Sequence, residues 1–274
     1  MKQQEWPSRP ASVLSIAGSD SGGGAGIQAD LKTFAAHGVH GLTAIAALTA
    51  QNTRGVRAIH TPPPAFLDAQ LDALFEDFSI RASKIGMLAT AEVIETVAAG
   101  LQRHGAINLV LDPVMVASTG AVLLAPDALA ALRTALIPRA AVLTPNLPEA
   151  EMLLGHPIAD LDGMRQAIVE LQQLGAASVL LKGGHRVADS VIDLWFDGAE
   201  LVEIEHPRLA VDGHGTGCTL SSAIAARLAL GFDVREAVRL GCDYVHGALV
   251  HATRPGLGPV SVLAHGWEWE RRQD

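Results

Sequence analysis

Short apolar runs alternate along the chain with longer stretches in which apolar residues recur every three or four positions. The runs read as strands at residues 13–17, 42–49, 83–86, 109–112, 141–144 and 178–181. The periodic stretches read as helices at 25–36, 65–78, 91–104, 127–135, 161–174, 217–230 and 234–251. Within 65–78, Phe66, Leu67, Leu71, Leu74 and Phe75 fall on one stripe, and Val93, Ile94, Val97 and Leu101 do the same in the next helix. Residues 190–196 and 201–205 flank an Asp197-Gly198 turn, a hairpin signal. Strand–helix alternation of this kind predicts a right-handed, mostly parallel sheet with helices on both faces, an α/β architecture. Neither an internal repeat nor an interdomain linker breaks the pattern, so residues 1–274 are expected to form one domain, with 1–11 a flexible N-terminal segment.

Composition agrees. The chain is 49% hydrophobic with 18% charged residues and 4% aromatics, which suits buried parallel strands covered by small-residue helices. A formal net charge of -9 repels nucleic acid and anionic lipid, so neither is an expected partner. An anionic substrate would need a local positive site built from a few lysines, helix N-termini or a metal. The apolar run at 12–17 is too short for a signal sequence and no segment approaches a membrane span, which makes the cytoplasm the expected location. Two cysteines, Cys218 and Cys242, allow one disulfide arithmetically but form no framework.

In open parallel sheets ligands bind beyond the carboxyl ends of the strands, so the segments there carry the chemistry. Residues 18–26, Gly-Ser-Asp-Ser-Gly-Gly-Gly-Ala-Gly, leave a strand and open a helix. They fit a dinucleotide fingerprint poorly, because no acid occurs between Asp30 and Asp68 to hold a ribose, and no Gly-Lys-Ser/Thr makes a Walker A loop. Residues 212–219 repeat the theme: Gly213, Gly215 and Gly217 at a helix start aim backbone N–H groups at one spot, where developing phosphoryl charge would be stabilised. Cys218 sits in that first turn, where the helix dipole is expected to favour its thiolate. Asn146 and Glu149, three apart at another helix start, suit an oxygen-loving cation such as Mg²⁺, and ordinary capping explains them equally well. Asp112 ends a strand as a metal or phosphate-site residue or a turn former, and Lys182, beside two glycines, could reach a phosphate or lie in a solvated turn. The histidines show no zinc-ligand spacing.

Taken in order along the chain, residues 16–33, 50–53, 84–88, 112–115, 144–150, 182–185 and 214–219 resemble the ribokinase-like superfamily, and within it the hydroxymethylpyrimidine/phosphomethylpyrimidine kinases. The resemblance implies a three-layer α/β/α sandwich with a mostly parallel central sheet of about nine strands. It implies ATP-dependent phosphorylation of 4-amino-5-hydroxymethyl-2-methylpyrimidine and then of its monophosphate, in thiamine diphosphate biosynthesis. Most of the superfamily carries an Asp base where this chain has Cys218, a mark of the pyrimidine-kinase branch. By the same carry-over Gln51 would bond the aminopyrimidine edge, and Gly18, Ala25, Asp30 and Met87 would surround the ring. Gly215 and Gly217 would form the anion hole with Thr216 beside them. Asp112, Glu149 and Asn146 would organise Mg²⁺, Asn146 and Lys182 would meet the nucleotide, and a monovalent cation has a place in the family. A homodimer is implied as well. The rival readings are a pyridoxal kinase of vitamin B6 salvage, a dehydrogenase using the first glycine loop, and a non-catalytic pyrimidine or nucleotide sensor.

Overall fold

The computed structural model describes residues 9–116, 123–125, 127–186 and 188–270. Most of the segment expected to be flexible, residues 1–8, lies outside them. Eleven strands and nine α-helices are described: β1 (Ser12–Asp20), α1 (Gly26–Ala36), β2 (His40–Asn52), β3 (Gly55–His60), α2 (Pro64–Asp77), β4 (Ile80–Ile85), α3 (Ala91–Arg103), β5 (Leu109–Leu111), α4 (Ala128–Ala131), β6 (Val142–Leu143), α5 (Leu147–Leu154), α6 (Leu161–Gln172), β7 (Val179–Leu181), β8 (Ser190–Phe196), β9 (Leu201–Pro207), β10 (Gly213–His214), α7 (Thr216–Ala229), α8 (Val234–Val250), β11 (Ser261–Val262) and α9 (Trp267–Glu270). Nine strands form one sheet in the order β3-β2-β1-β4-β5-β6-β7-β8-β9. The centre, from β2 to β7, is parallel, and the edge strands β3, β8 and β9 pair antiparallel.

Alternation along the strands divides the core into two layers. Leu14, Ile16, Leu109, Leu111, Leu143 and Leu181 face one side, where α2, α3, α5 and α6 cover them. Val13, Ala82, Val110, Val142 and Leu180 face the other, against α1, α7 and α8. A strand buried on both faces has no polar side to show, which is why these segments appear as unbroken apolar runs. Each fully buried Leu or Ile contributes about 1.5–3 kcal/mol of transfer free energy.

Four differences from the expected elements have local causes. β3 was not foreseen, because its exposed edge sequence Gly-Val-Arg-Ala-Ile-His carries no clean alternation. The helix expected at 127–135 is α4 continued by a wide turn at Leu132–Leu136 and a tight one at Ile137–Arg139, where Pro138 supplies no N–H donor. α5 is a full helix, started by Asn146 and ended by Gly155 at φ 83. The two-residue strands β10 and β11 pair with each other outside the main sheet.

Candidate functional site

A cavity of about 690 Å³ runs along the carboxyl edge of the sheet. Gly18, Gln51 and Met87 line the end nearest β1 and β2, while Val191, Val211 and Leu249 line the end nearest β8, β9 and α8. Lys182, Asp112 and the start of α7 stand between them.

At the first end, the loop after β1 is organised by Asp20. Its carboxylate accepts from the backbone N–H groups of Gly22 (2.7 Å), Gly24 (3.0 Å) and Ala25 (2.9 Å) and lies 3.1 Å from His214 Nε2. Burial works to raise the Asp20 pKa, but the His214 bond and the loop amides outweigh it and hold the carboxyl below its ordinary range. Ser21 Oγ donates to the Gln51 carbonyl at 2.7 Å and accepts from its N–H at 2.8 Å. The Gln51 side chain meets Thr49 Oγ1 at 3.2 Å and lies 3.1 Å from His214 Nε2. Ala25 caps α1 and lines the cavity, and Gly18 packs against Met87, whose sulfur would lie 3.1 Å from a Cβ at that position. Asp30 does not line this end. It sits one turn inside α1, fully buried behind the wall, and binds Lys84 with both oxygens at 3.0 Å. Its expected place around a ring is corrected to a partner of Lys84, because that turn of α1 faces the sheet.

In the middle, α7 begins with no side-chain cap, and its first-turn residues Thr216, Gly217 and Cys218 line the cavity. The N–H groups of a first helical turn have no intrahelical acceptor, so an anion is their natural partner. Gly215 takes φ 84, and a Cβ there would stand 2.0 Å from the Gly24 carbonyl oxygen, so the two glycine-rich loops meet only because both lack side chains. At Gly217 a Cβ would be 3.1 Å from Lys182 Nζ and 3.3 Å from Asp112 Oδ2. The first turn therefore lies directly over that ion pair. The expected thiolate at Cys218 is corrected: burial pushes its thiol up to about 11, against the opposing charge of Lys84. The helix dipole acts on the thiol, but desolvation of the charged form is larger. Both cysteines are free.

Lys182 Nζ donates to Asp112 Oδ1 at 2.9 Å and lies 3.9 Å from Glu149 Oε2. Burial alone would lower its pKa, but Asp112 and Glu149 raise it. Asn146 and Glu149 form a reciprocal cap on α5: the Asn146 side chain accepts from the Glu149 N–H at 2.9 Å, and Glu149 Oε2 accepts from the Asn146 N–H at 2.8 Å. Asn146 thus gives one hydrogen bond of its side-chain oxygen to the helix and also lines the cavity. Glu149 is buried, and desolvation, reinforced by the Asp112 charge, raises its carboxyl to about 7 despite Lys182. No group of three or more His, Cys, Asp and Glu able to hold a metal occurs among the described residues. The donor set fits Mg²⁺ in another way: two oxygen donors on adjacent elements suit an ion that keeps much of its water and takes its remaining ligands from phosphate.

The model of the family described as phosphomethylpyrimidine kinase matches residues 20–262. The chain belongs to that family. A hydroxymethylpyrimidine/phosphomethylpyrimidine kinase of Rhizobium meliloti (strain 1021) is 49% identical over 264 residues, covering 94% of this chain and 99% of its own. One from Bacillus subtilis (strain 168) is 44% identical over 248 residues, covering 90% and 92%. Among solved structures, a phosphomethylpyrimidine kinase of Clostridium difficile 630 aligns with TM-score 0.77 at 43% identity, over 86% of this chain and 97% of its own. The ADP complex of Bacillus subtilis pyridoxal kinase aligns with TM-score 0.87 at 33% identity, over 95% and 99%. The sandwich described above is therefore ribokinase-like, and the chain is a phosphotransferase of this family.

Reasoning from sequence missed Asp20, His214 and Lys84 at the site. Asp20 had a signal, as the one acid inside the first glycine loop. His214 and Lys84 lie in the segments 214–219 and 84–88, but nothing there pointed to their partners, 194 and 54 residues away. Nor did anything mark Val191, Val211 and Leu249, scattered apolar residues that line the far end.

Proposed function

We propose that this protein transfers the γ-phosphoryl group of ATP to the hydroxymethyl oxygen of 4-amino-5-hydroxymethyl-2-methylpyrimidine, and a second to the resulting monophosphate, giving the pyrophosphate for thiamine synthesis. The observation that carries the reading is the uncapped start of α7 midway along one cavity, with a polar pocket at one end and an apolar slot at the other. Gln51, with its backbone and amide both held, reads the aminopyrimidine edge, and Gly18, Ala25 and Met87 enclose the ring. The slot of Val191, Val211 and Leu249 takes the adenine. Phosphoryl transfer is mostly positioning and charge neutralisation, and the amides of Thr216, Gly217 and Cys218 receive the charge that develops on the transferred group. Lys182 meets the nucleotide phosphates. Asp112 and Glu149 would hold Mg²⁺ through water, and the ion would supply the rest of the neutralisation. Cys218 takes the hydroxymethyl proton in the first step. The second step needs no base, because a phosphate nucleophile is already ionised at neutral pH.

By the same reading the protein works as a homodimer in the cytoplasm. No described helix is long and apolar enough to cross a membrane. A coupled ADP-release assay with Mg-ATP tests the function, with hydroxymethylpyrimidine, its monophosphate and pyridoxal offered separately. Conversion of the monophosphate to a pyrophosphate is the expected result. Turnover of pyridoxal alone would overturn it in favour of vitamin B6 salvage, and binding without turnover in favour of a sensor.

A further inference from the structure

Below Cys218 lies a buried charge cluster that the mechanism above leaves unused. Lys84, one residue from the end of β4, is fully buried and binds both oxygens of Asp30 at 3.0 Å. Asp30 also accepts from Ser15 Oγ at 2.5 Å and Ser222 Oγ at 2.8 Å. Two helices converge on this cluster in the same way. On α7, Cys218 and Ser222 are four residues apart and share a face. On α1, Gly26 and Asp30 are four apart, and the Gly26 N–H is bonded to the Cys218 sulfur. The thiol thus stands over the start of α1 while the Asp30–Lys84 pair sits one turn deeper. An ammonium has three donors and Lys84 gives two to Asp30, yet Lys84 also contributes to the cavity wall.

We propose that Lys84, fixed by Asp30, is a positioning residue for the first phosphorylation, its charge stabilising the Cys218 thiolate that takes the hydroxymethyl proton. The inference rests on the reading of Cys218 as that base. In the step, the substrate O–H bond breaks and its proton goes to Cys218 Sγ, the oxygen forms a bond to the γ-phosphorus, and the bond from that phosphorus to the departing ADP breaks. The thiol then returns its proton to water. The charged groups around the sulfur are Lys84 from β4, Asp30 from α1, Asp112 after β5 and Lys182 after β7. Burial and the two carboxylates oppose ionisation of the thiol, and Lys84 is the strongest influence in its favour. The Lys84 ammonium keeps its proton: burial disfavours the charge, but Asp30, then Cys218 and Asp112, more than offset it.

Replacing both members of the pair avoids leaving a lone buried charge, so Asp30→Asn/Lys84→Met is the variant of choice. Cys218 alkylation by iodoacetamide is followed by peptide mass spectrometry from pH 6.5 to 9.5, which separates it from Cys242. The expected result is a Cys218 rate at pH 8 at least tenfold below wild type, with Lys84→Arg restoring most of it. The kcat for hydroxymethylpyrimidine should fall at least tenfold, and the kcat for the monophosphate less than threefold. An unchanged alkylation profile in the folded double variant, or equal losses on both steps, overturns the proposal. In wild type, where folding is not in question, the first-step kcat should rise with pH in parallel with Cys218 alkylation, and a flat profile over that range also overturns it. Cys218→Ala separates the underlying reading: full first-step activity in that variant removes Cys218 as base, while the alkylation profile still reports whether Lys84 governs the thiol.

Discussion

Replacing Glu149 by Gln should make the protein more stable above neutral pH and less active at every pH. Glu149 is buried and caps α5 through Oε2, a bond that a glutamine oxygen can also accept. Burial first, then the Asp112 charge, raises its carboxyl from the ordinary 4.5 to about 7. The sign follows from where the proton is held. A folded-state pKa above the unfolded value means the native state binds the extra proton, so the associated stability is fully present below 4.5 and is lost as pH rises through about 7. At 1.36 kcal/mol per pH unit the loss is on the order of 3 kcal/mol. Glutamine imitates the neutral form at all pH. The variant should therefore match wild type near pH 5 and exceed it by up to about 3 kcal/mol at pH 8. Urea unfolding of both proteins from pH 5 to 8, without metal, measures the difference. Adding Mg²⁺ at pH 8 should raise the wild-type midpoint and leave the variant's unchanged. A stability difference that is the same at pH 5 and pH 8 would refute the argument, because Glu149 would then be ionised throughout or act by packing alone.

Two further substitutions test other parts of the site. Gly215→Ala forces an L residue to φ 84 and sets a methyl 2.0 Å from the Gly24 carbonyl, so the loops must part. We expect a loss of about 2 kcal/mol or more in thermal unfolding and at least a tenfold fall in kcat on both substrates, since strain and displacement add. Gln51→Ala tests the proposed contact to the aminopyrimidine edge, at a side chain that also meets Thr49 and His214. It should raise KM for hydroxymethylpyrimidine and its monophosphate about tenfold or more, the cost of about 1.4 kcal/mol of binding, with KM for ATP unchanged.

The layering of this fold was legible because both-face burial leaves a trace that needs no knowledge of partners: short apolar runs such as Leu109–Leu111 and Val179–Leu181, set between helical patterns, read as strands covered on both faces. The glycine loops were legible for a similar reason, since Gly24 and Gly215 stand where a Cβ would collide with His214 and with the Gly24 carbonyl. What could not be read was direction. Asp30 stands close in sequence to the first loop, but the turn of α1 that carries it points to the sheet and to Lys84. The first-turn position of Cys218 predicted a helix-dipole effect, whereas desolvation, joined by the charges of Asp30 and Asp112, pushes its thiol up against the opposing charge of Lys84. Asn146 and Glu149 were ambiguous between capping and ligation, and the structure shows why. Glu149 Oε2 both accepts the Asn146 N–H and lies 3.9 Å from Lys182 Nζ, while the Asn146 oxygen accepts the Glu149 N–H.

An acidic protein that handles a polyanion has to solve a local charge problem, and the arrangement here explains why two lysines alone do not solve it. Lys84 is neutralised by Asp30 and Lys182 largely by Asp112. Such pairing lets each ammonium be buried, since an unpaired one would lose its proton or force water in. It also leaves little net positive charge to attract nucleotide phosphates. Asp20 and Glu149 add two more carboxyls to the cavity wall, with His214 against the first. The lysines therefore act as fixed dipoles with their carboxylates, which place charge accurately but collect little of it. The uncapped amides of α7 supply partial charge at the point of transfer. The remainder has to come from elsewhere, and on the proposed reading a cation arriving with the nucleotide supplies it beside Asp112 and Glu149, whose carboxyl is raised by burial and by the Asp112 charge.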